Sequence, residues 1–173
     1  MFSYFKSYVQ AIVKNDPASR STLEAILCYP GLRALMLHRP NSFLWRKTPF
    51  KLLARIISDF GRLFTGIEIH PGAIIGKGVF IDHGMGIVIG ETAIIEDDVI
   101  LFHGVTLGGR GHEKNGKRHP TVENGAVIGA HATILGPITI GTRAVVGACT
   151  LVLKDVEPFT TIVGGNVPRI IHK

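Results

Sequence analysis

An aliphatic residue recurs every six positions through the second part of the chain, and this period limits the possible folds more than any other feature. The positions are Ile69, Ile75 and Ile81, then Ile89, Ile95, Leu101 and Leu107, then Val122, Ile128, Ile134, Ile140, Val146 and Val152. Such hexads are the repeat of a β-helix, in which each aliphatic side chain points inward and stacks on its equivalent in the next coil. The sequence therefore predicts a mainly β solenoid.

Two breaks in the period predict where the chemistry lies. The first is a two-residue slip inside IDHGMGIVIGET (81–92), where Gly84 and Gly86 let the backbone bend so that Asp82 and His83 project into a cleft. The second is GGRGHEKNGKRHPT (108–121), a polar, basic and Gly-rich stretch that we expect to leave the coil as an extruded loop. Insertions in a solenoid map to one face, and that face often binds the ligand.

Residues before the repeats follow a helical period. Leu53, Ile56, Ile57, Phe60 and Phe64 fall at steps of mostly three or four residues. Asn15-Asp16-Pro17 is typical of a helix start, and Pro30, Pro40 and Pro49 are predicted to separate short helices. We predict an N-terminal helical region (1–65), the β-helix with its loop (66–165) and a C-terminal tail (166–173).

Composition excludes several classes of partner. The net charge is +6, but ten of the 19 Lys and Arg residues lie before residue 66 among aliphatic residues at helical spacing. They therefore fit the solvated faces of amphipathic helices better than a nucleic-acid site. No apolar run approaches the length of a membrane span. Cys28 and Cys149 stand alone, which favours a reduced, cytoplasmic protein without a cysteine metal site.

Three motifs carry a resemblance to a known family. IDHGMGIVIGET, GVTLGG (104–109) and KRHPT (117–121), in this order on hexapeptide repeats, resemble the serine O-acetyltransferases, and DPASRSTLEAILCYPGLRAL and GIEIHPGA match the same pattern. The resemblance covers roughly residues 16–170. It implies a left-handed parallel β-helix, which departs from the usual right-handed crossover.

The resemblance also implies an activity and an assembly. Acetyl-CoA would be the co-substrate, with no metal, and its acetyl group would pass to the hydroxyl of L-serine to give O-acetyl-L-serine for cysteine biosynthesis. The two substrates would meet in a cleft between the chains of a homotrimer, and pairing of two trimers remains open. L-cysteine would act as a feedback inhibitor.

The resemblance assigns the catalytic and binding roles residue by residue. His83 would be the general base, Glu68 the carboxylate that orients it, and His119 a contact to the reacting hydroxyl. A base with the ordinary imidazole pKa near ~6.5 suits this task at neutral pH. The serine contacts would be Asp16, Asp82 and Glu91 for the ammonium and Arg118 for the carboxylate. The acetyl-CoA contacts would be Gly108, Gly109, Gly129, Ala130, Ala148 and Lys154.

The sequence departs from the family pattern at several positions. Glu68 replaces an Asp of some members, His103 stands where Gln is common, and the loop carries Arg110 and His112. The chain ends in Lys173, whereas family members that dock their tail into O-acetylserine sulfhydrylase end in Ile. Burying a lysine ammonium without a counter-ion is unfavourable, so we predict no stable complex with that enzyme.

Three other functions remain open at this point. The same acyl-transfer chemistry could act on a sugar or another alcohol or amine. A zinc site between subunits, as in carbonic anhydrase-like β-helices, could use His83, His103 and His119. A trimeric scaffold without activity is the third alternative.

Overall fold

The chain folds into four helices followed by fourteen short strands, in a computed structural model that describes residues 2–111 and 116–164. The helices are α1 (Phe2–Asn15), α2 (Thr22–Cys28), α3 (Pro30–Lys47) and α4 (Lys51–Thr65). The strands are β1 (Glu68–Ile69), β2 (Ile74–Ile75), β3 (Phe80–Asp82), β4 (Val88–Ile89), β5 (Ile94–Ile95), β6 (Ile100–Phe102), β7 (Thr106–Gly108), β8 (Thr121–Val122), β9 (Val127–Ile128), β10 (Thr133–Leu135), β11 (Thr139–Ile140), β12 (Val145–Val146), β13 (Leu151–Val152) and β14 (Thr161–Ile162).

Strands three apart in the chain pair in parallel, except that β14 pairs with β12, and this makes three sheets around a common axis. Sheet A has the order β1-β4-β7-β10-β13, sheet B the order β2-β5-β8-β11, and sheet C the order β3-β6-β9-β12-β14. The register aligns equivalent hexad positions, for example Ile81 with Leu101 and Leu101 with Ile128. The predicted fold, a mainly β parallel β-helix preceded by an α-helical region, is confirmed.

The hexad residues form the interior of the coil. All the aliphatic residues of the six-residue series are at most 6% exposed. The small residues four positions later, such as Ala93 and Ala126, are fully buried and fill the space between neighbouring stacks. The core therefore extends along the whole solenoid as columns of like side chains, each of which depends on the coils above and below it.

The helices cover the open end of the first coil. A parallel β-helix leaves unpaired carbonyl groups at its first strands, and such an edge must be capped. The capping bonds run from Tyr8 Oη to Gly76 O (2.9 Å), His38 Nε2 to Ala73 O (3.2 Å), Arg39 Nη1 to Ile75 O (2.7 Å), Arg46 Nη2 to Gly72 O (2.9 Å) and Ala73 O (2.7 Å), and Ser58 Oγ to Ile69 O (2.6 Å). Helix side chains thus take the place of a preceding coil.

Two helix boundaries differ from the sequence prediction. Asn15-Asp16 ends α1 instead of starting a helix, because the Asp16 N–H still donates to Ile12 O and α2 begins after its own N-cap, Ser21. Pro40 lies inside α3. His38 and Asn41 are buried on either side of it, and this packing outweighs the hydrogen bond that proline cannot make.

Some expectations fall on residues that the structure does not describe. His112 in the extruded loop and the tail 166–173 lie outside the described residues. The expectation about O-acetylserine sulfhydrylase rests on that tail and stays a prediction. In the described ranges no helix has the length and apolar character needed to cross a bilayer.

Two helix glycines provide a test of how tightly the helices pack on the coil. A Cβ on Gly31 of α3 would lie 2.7 Å from Ile81 Cβ and closer still to its carbonyl oxygen, whereas a Cβ on Gly61 of α4 would meet only Leu37 at 3.8 Å. Gly31→Ala should therefore destabilise the protein by about 1–3 kcal/mol through overpacking. Gly61→Ala should be neutral or stabilising by up to about 1 kcal/mol, the helix-propensity gain.

Thermal unfolding of both variants at one protein concentration measures the difference. Equal melting temperatures for the two variants would contradict the close contact between α3 and β3. That contact matters for function, because β3 leads directly into His83.

Candidate active site

The predicted site residues lie at two corners of the coil. We call the turns that lead from sheet C to sheet A the C–A corner, and those that lead from sheet A to sheet B the A–B corner. The C–A corner carries Asp82, His83, Gly129, Ala130 and Ala148. The A–B corner carries Glu91, Gly108, Gly109 and Lys154, and the loop bearing Arg118 and His119 folds against it.

His83 is held in an exposed position by an unusual backbone. Its φ is 58°, in the left-handed region, and Gly84 and Gly86 follow with φ of 79° and 77°. A Cβ on Gly84 would clash with the buried side chain of Ile67. The glycines therefore allow the slip, as the sequence predicts, and the His83 side chain is left 75% exposed.

Two carboxylates accompany His83. Asp82 Oδ1 lies 3.9 Å from His83 Nε2, and Asp16 comes from the turn between α1 and α2. The Tyr29 hydroxyl and then the Ala18 N–H donate to Asp16 and hold the pKa of this carboxyl below its usual range, and nearby His83 adds to the effect. Asp16 is thus ionised at neutral pH and can attract an ammonium group to the C–A corner, where Asp82 offers a second carboxyl group.

A column of residues continues from His83 along this corner. The register of sheet C places His83, His103, Ala130 and Ala148 at equivalent positions of successive coils. The His103 ring makes edge contacts to two others, with centroids 5.8 Å from His83 and 4.9 Å from His131. The small side chains beyond His103 leave a shallow strip that an extended chain could follow.

At the A–B corner the backbone fixes the His119 ring. His119 Nδ1 accepts from the Thr92 N–H (3.2 Å), so the neutral ring carries its proton on Nε2. Thr92 Oγ1 accepts in turn from the N–H groups of Arg118 (2.9 Å) and His119 (3.0 Å). Burial, then Arg118, lowers the pKa of His119. The ring covers Gly90, where a Cβ would lie 2.7 Å from His119 Cγ, so only glycine fits there.

A charge pair stands beside this ring. Arg118 Nη2 donates to Glu91 Oε2 at 3.0 Å, and both side chains are about one-third exposed. His70 lies close to the pair, and burial, then Arg55, lowers its pKa to about 4. Around this ring the corner thus offers the Arg118–Glu91 ion pair and two imidazoles with lowered pKa values.

Glu68 is the remaining predicted site residue. It lies on sheet A, between the two corners, and its Oε2 accepts from Arg62 Nη1 at 2.9 Å. Both residues are described, and no ion pair joins Glu68 to His83 within the chain.

Four residues of the site were missed by sequence reasoning. They are Thr92, which organises the loop; Gly90, which makes room for His119; Tyr29, which holds Asp16; and His70. All four lie in stretches that the motifs already mark, GIEIHPGA, IDHGMGIVIGET and the region of CYPG. The motifs thus marked the right stretches of sequence. They did not show the contacts of these four residues, because the contacting residues are distant in sequence.

The next feature is the arrangement of potential metal ligands. In residues 2–111 and 116–164 no group of three or more His, Cys, Asp or Glu side chains is arranged to hold a metal ion. Cys28 and Cys149 are both free and exposed.

Sequence relatives share most of the chain. Residues 119–154 match the family described as bacterial transferase hexapeptide (six repeats). The serine acetyltransferase of Synechococcus elongatus is 48% identical over 174 residues, which covers 100% of this chain and 70% of that protein. The serine acetyltransferase of Bacillus subtilis is 52% identical over 163 residues, with coverage of 94% and 74%.

Solved structures share the fold. A Neisseria gonorrhoeae serine acetyltransferase in complex with serine has a TM-score of 0.89 at 38% identity, covering 94% of this chain and 66% of that one. A Brucella abortus serine acetyltransferase in complex with coenzyme A gives 0.90 at 37%, with coverage of 94% and 64%. Serine acetyltransferase isoform 3 of Entamoeba histolytica, in complex with cysteine, gives 0.90 at 36%, with coverage of 98% and 60%.

The chain spans about two thirds of the length of these solved proteins and somewhat more of the sequence relatives. The match to the Synechococcus elongatus protein covers the whole chain, both corners included. By sequence and by structure, this chain belongs to the serine acetyltransferase family.

Proposed function

We propose that this protein transfers the acetyl group of acetyl-CoA to the hydroxyl of L-serine, giving O-acetyl-L-serine for cysteine biosynthesis. One observation carries the proposal. An exposed histidine with two neighbouring carboxyl groups begins a strip of small residues at one corner, and an arginine–glutamate pair flanked by a neutral histidine stands at the other. Relatives solved with serine and with coenzyme A support the same pair of substrates.

His83 would act as general base in a direct transfer. Its imidazole takes the proton of the serine hydroxyl as the oxygen attacks the thioester carbon, and then returns that proton to the departing sulfur of CoA. No covalent enzyme intermediate is needed, because the serine oxygen attacks the thioester carbon directly. The strained backbone at His83 would keep the base pointed toward the cleft.

The amino and carboxylate groups of serine match the charges at the two corners. Arg118 would exchange its bond to Glu91 for a forked contact to the serine carboxylate. Glu91, Asp16 and Asp82 would then face the ammonium. His119, a fixed Nε2–H donor, would contact the reacting hydroxyl oxygen.

Glu68 would orient His83 only after leaving Arg62. The pair is exposed on the Arg62 side, and exposed ion pairs are worth only about 0–1 kcal/mol, so this exchange is inexpensive. Acetyl-CoA would lie with its pantetheine arm along Gly129, Ala130 and Ala148 of one chain. Gly108, Gly109 and Lys154 of the A–B corner would complete that contact.

A homotrimer would bring the two corners together. The C–A corner of one chain would face the A–B corner of its neighbour, which closes the cleft from both sides. An apolar surface supports this assembly, because Phe60 and Leu63 of α4 and Met85 beside His83 are 57%, 75% and 67% exposed in the single chain. Unpaired Cys28 and Cys149 fit a cytoplasmic location. Pairing of two trimers remains open.

Loss of the base tests the chemistry. His83→Ala should lower the turnover number by ~10²–10⁴-fold, the usual contribution of general-base catalysis. Release of the CoA thiol with L-serine, and with a panel of sugars and other amino acids, measures both rate and acceptor.

Arg143→Ala is the matched control for this change. Arg143 has the same left-handed backbone (φ 54°) and is exposed, but it lies at the sheet B to sheet C corner, away from the site. It should keep wild-type activity. A folded His83→Ala variant with near-normal turnover would remove His83 from the role.

Mixed trimers test whether the site is shared. His83→Ala and Arg118→Ala should each be inactive alone, because each removes one side of every cleft. Co-expressed at equal levels they should recover about one quarter of wild-type activity, since one cleft in four combines an intact C–A corner with an intact A–B corner.

A control mixture combines His83→Ala with Asp82→Ala. Both changes fall on the C–A corner, so no cleft can be intact and no activity should return. Recovery in neither mixture, with a monomeric mass in sedimentation, would show that the site is complete within one chain.

L-cysteine should compete with L-serine, because the two amino acids share the ammonium and carboxylate that Arg118, Glu91, Asp82 and Asp16 would bind. Inhibition kinetics should show a higher apparent KM for serine at unchanged maximal rate. Arg118→Ala should weaken the affinity for both amino acids in parallel. Serine kinetics indifferent to millimolar cysteine would count against a common site.

A further inference from the structure

We propose that His103 donates a hydrogen bond to the thioester oxygen of acetyl-CoA as this oxygen becomes negative, and that His131 holds the His103 ring in place for it. This inference rests on the proposed function and adds the group that stabilises the tetrahedral intermediate. None of the residues given a role above binds this oxygen.

The position of His103 follows from the register of sheet C. His83, His103, Ala130 and Ala148 occupy equivalent places in successive coils, and neighbouring strands are about 4.8 Å apart. If the pantetheine arm follows Ala130 and Ala148 and the base is His83, the thioester at the end of the arm must lie between Ala130 and His83. His103 is the residue at that step of the column.

The hydrogen bonding of the ring makes it a donor. His103 Nδ1 is buried and has no hydrogen-bond partner among residues 2–111 and 116–164. A buried N–H without an acceptor is costly, so the neutral ring carries its proton on Nε2. Nε2–H is then the group that His103 offers to a ligand.

Three backbone donors at the same corner are already used. The N–H groups of Gly104, His131 and Cys149 donate to the carbonyl oxygens of Met85, His103 and Ala130 in the preceding coil. These three groups are therefore not available to an oxyanion above this corner, where His103 offers a side-chain donor. His119 offers another Nε2–H, but it lies at the A–B corner beside Arg118, where the serine carboxylate is expected.

His131 supports the ring from the far side. The two rings meet edge to face, with centroids 4.9 Å apart and planes at 90°. The His131 ring occupies the space above Gly104, where a Cβ would lie 2.9 Å from His131 Cγ. His131 is thus a positioning residue, and Gly104 leaves the room that it needs.

The proposed step balances without a further reagent. The serine oxygen forms a bond to the acetyl carbon while His83 takes its proton, and the carbonyl π electrons move to oxygen. His103 Nε2–H donates to this oxyanion and keeps its proton. When the electrons return, the carbon–sulfur bond breaks and the proton on His83 passes to the sulfur of CoA.

Two substitutions of similar length separate donation from packing. His103→Gln keeps a side-chain N–H donor, whereas His103→Met has none. We expect His103→Met to lower the turnover number by ~10²–10³-fold, as for loss of an oxyanion-hole donor, with the KM for acetyl-CoA nearly unchanged. His103→Gln should stay within about tenfold of wild type, because the donor is retained.

Melting temperature and coenzyme A affinity show that the variants are folded and bind the cofactor. His103→Leu repeats the test if the Met variant is unstable. Equal turnover in the Gln and Met variants, whether high or low, would overturn the proposal. Activity that depends on His83 but not on the donor at 103 would refute this inference alone. An active His83→Ala variant would instead refute the general-base role of His83, and absence of acetyl transfer to L-serine by the wild type would refute the proposed function.

Discussion

The parallel backbone ladder between coils is the interaction on which this structure depends. Its strands are two or three residues long, too short to be stable alone, so each becomes stable only when the coils on both sides pair with it. At the first coil no such neighbour exists. Donors from α1, α3 and α4, among them Tyr8, Arg39 and Ser58, take its place on the exposed carbonyl groups.

The ladder also decides what the corners can offer a ligand. Because the coil repeats, the residues at equivalent positions of one corner form a column along the solenoid. A change of residue type in one repeat therefore places a new side chain at a fixed height in that column. At the C–A corner the column changes from histidine to alanine, from His83 and His103 to Ala130 and Ala148. The same repeat geometry thus places the two imidazole groups and the two small side chains in one line.

The site is divided by the same geometry. Sheet A separates His83 from the loop that bears Arg118 and His119, so the proposed base and the arginine proposed to bind the serine carboxylate lie at different corners. Arg118 is paired with Glu91 and Glu68 with Arg62. Both pairs would exchange partners as substrate and a neighbouring chain arrive, and because they are partly exposed this costs little.

The sequence alone determined the coil, because a six-residue aliphatic period buries its side chains when the chain winds into a β-helix. Each aliphatic residue of the hexads is buried in the structure. It also marked the two places where the six-residue period breaks, which are the slip at His83 and the 108–121 loop. Only the tertiary structure showed that Asp16 ends a helix beside His83, that Thr92 fixes the His119 tautomer, and that Arg62 holds Glu68. These are contacts between side chains far apart in sequence, on which a local period carries no information.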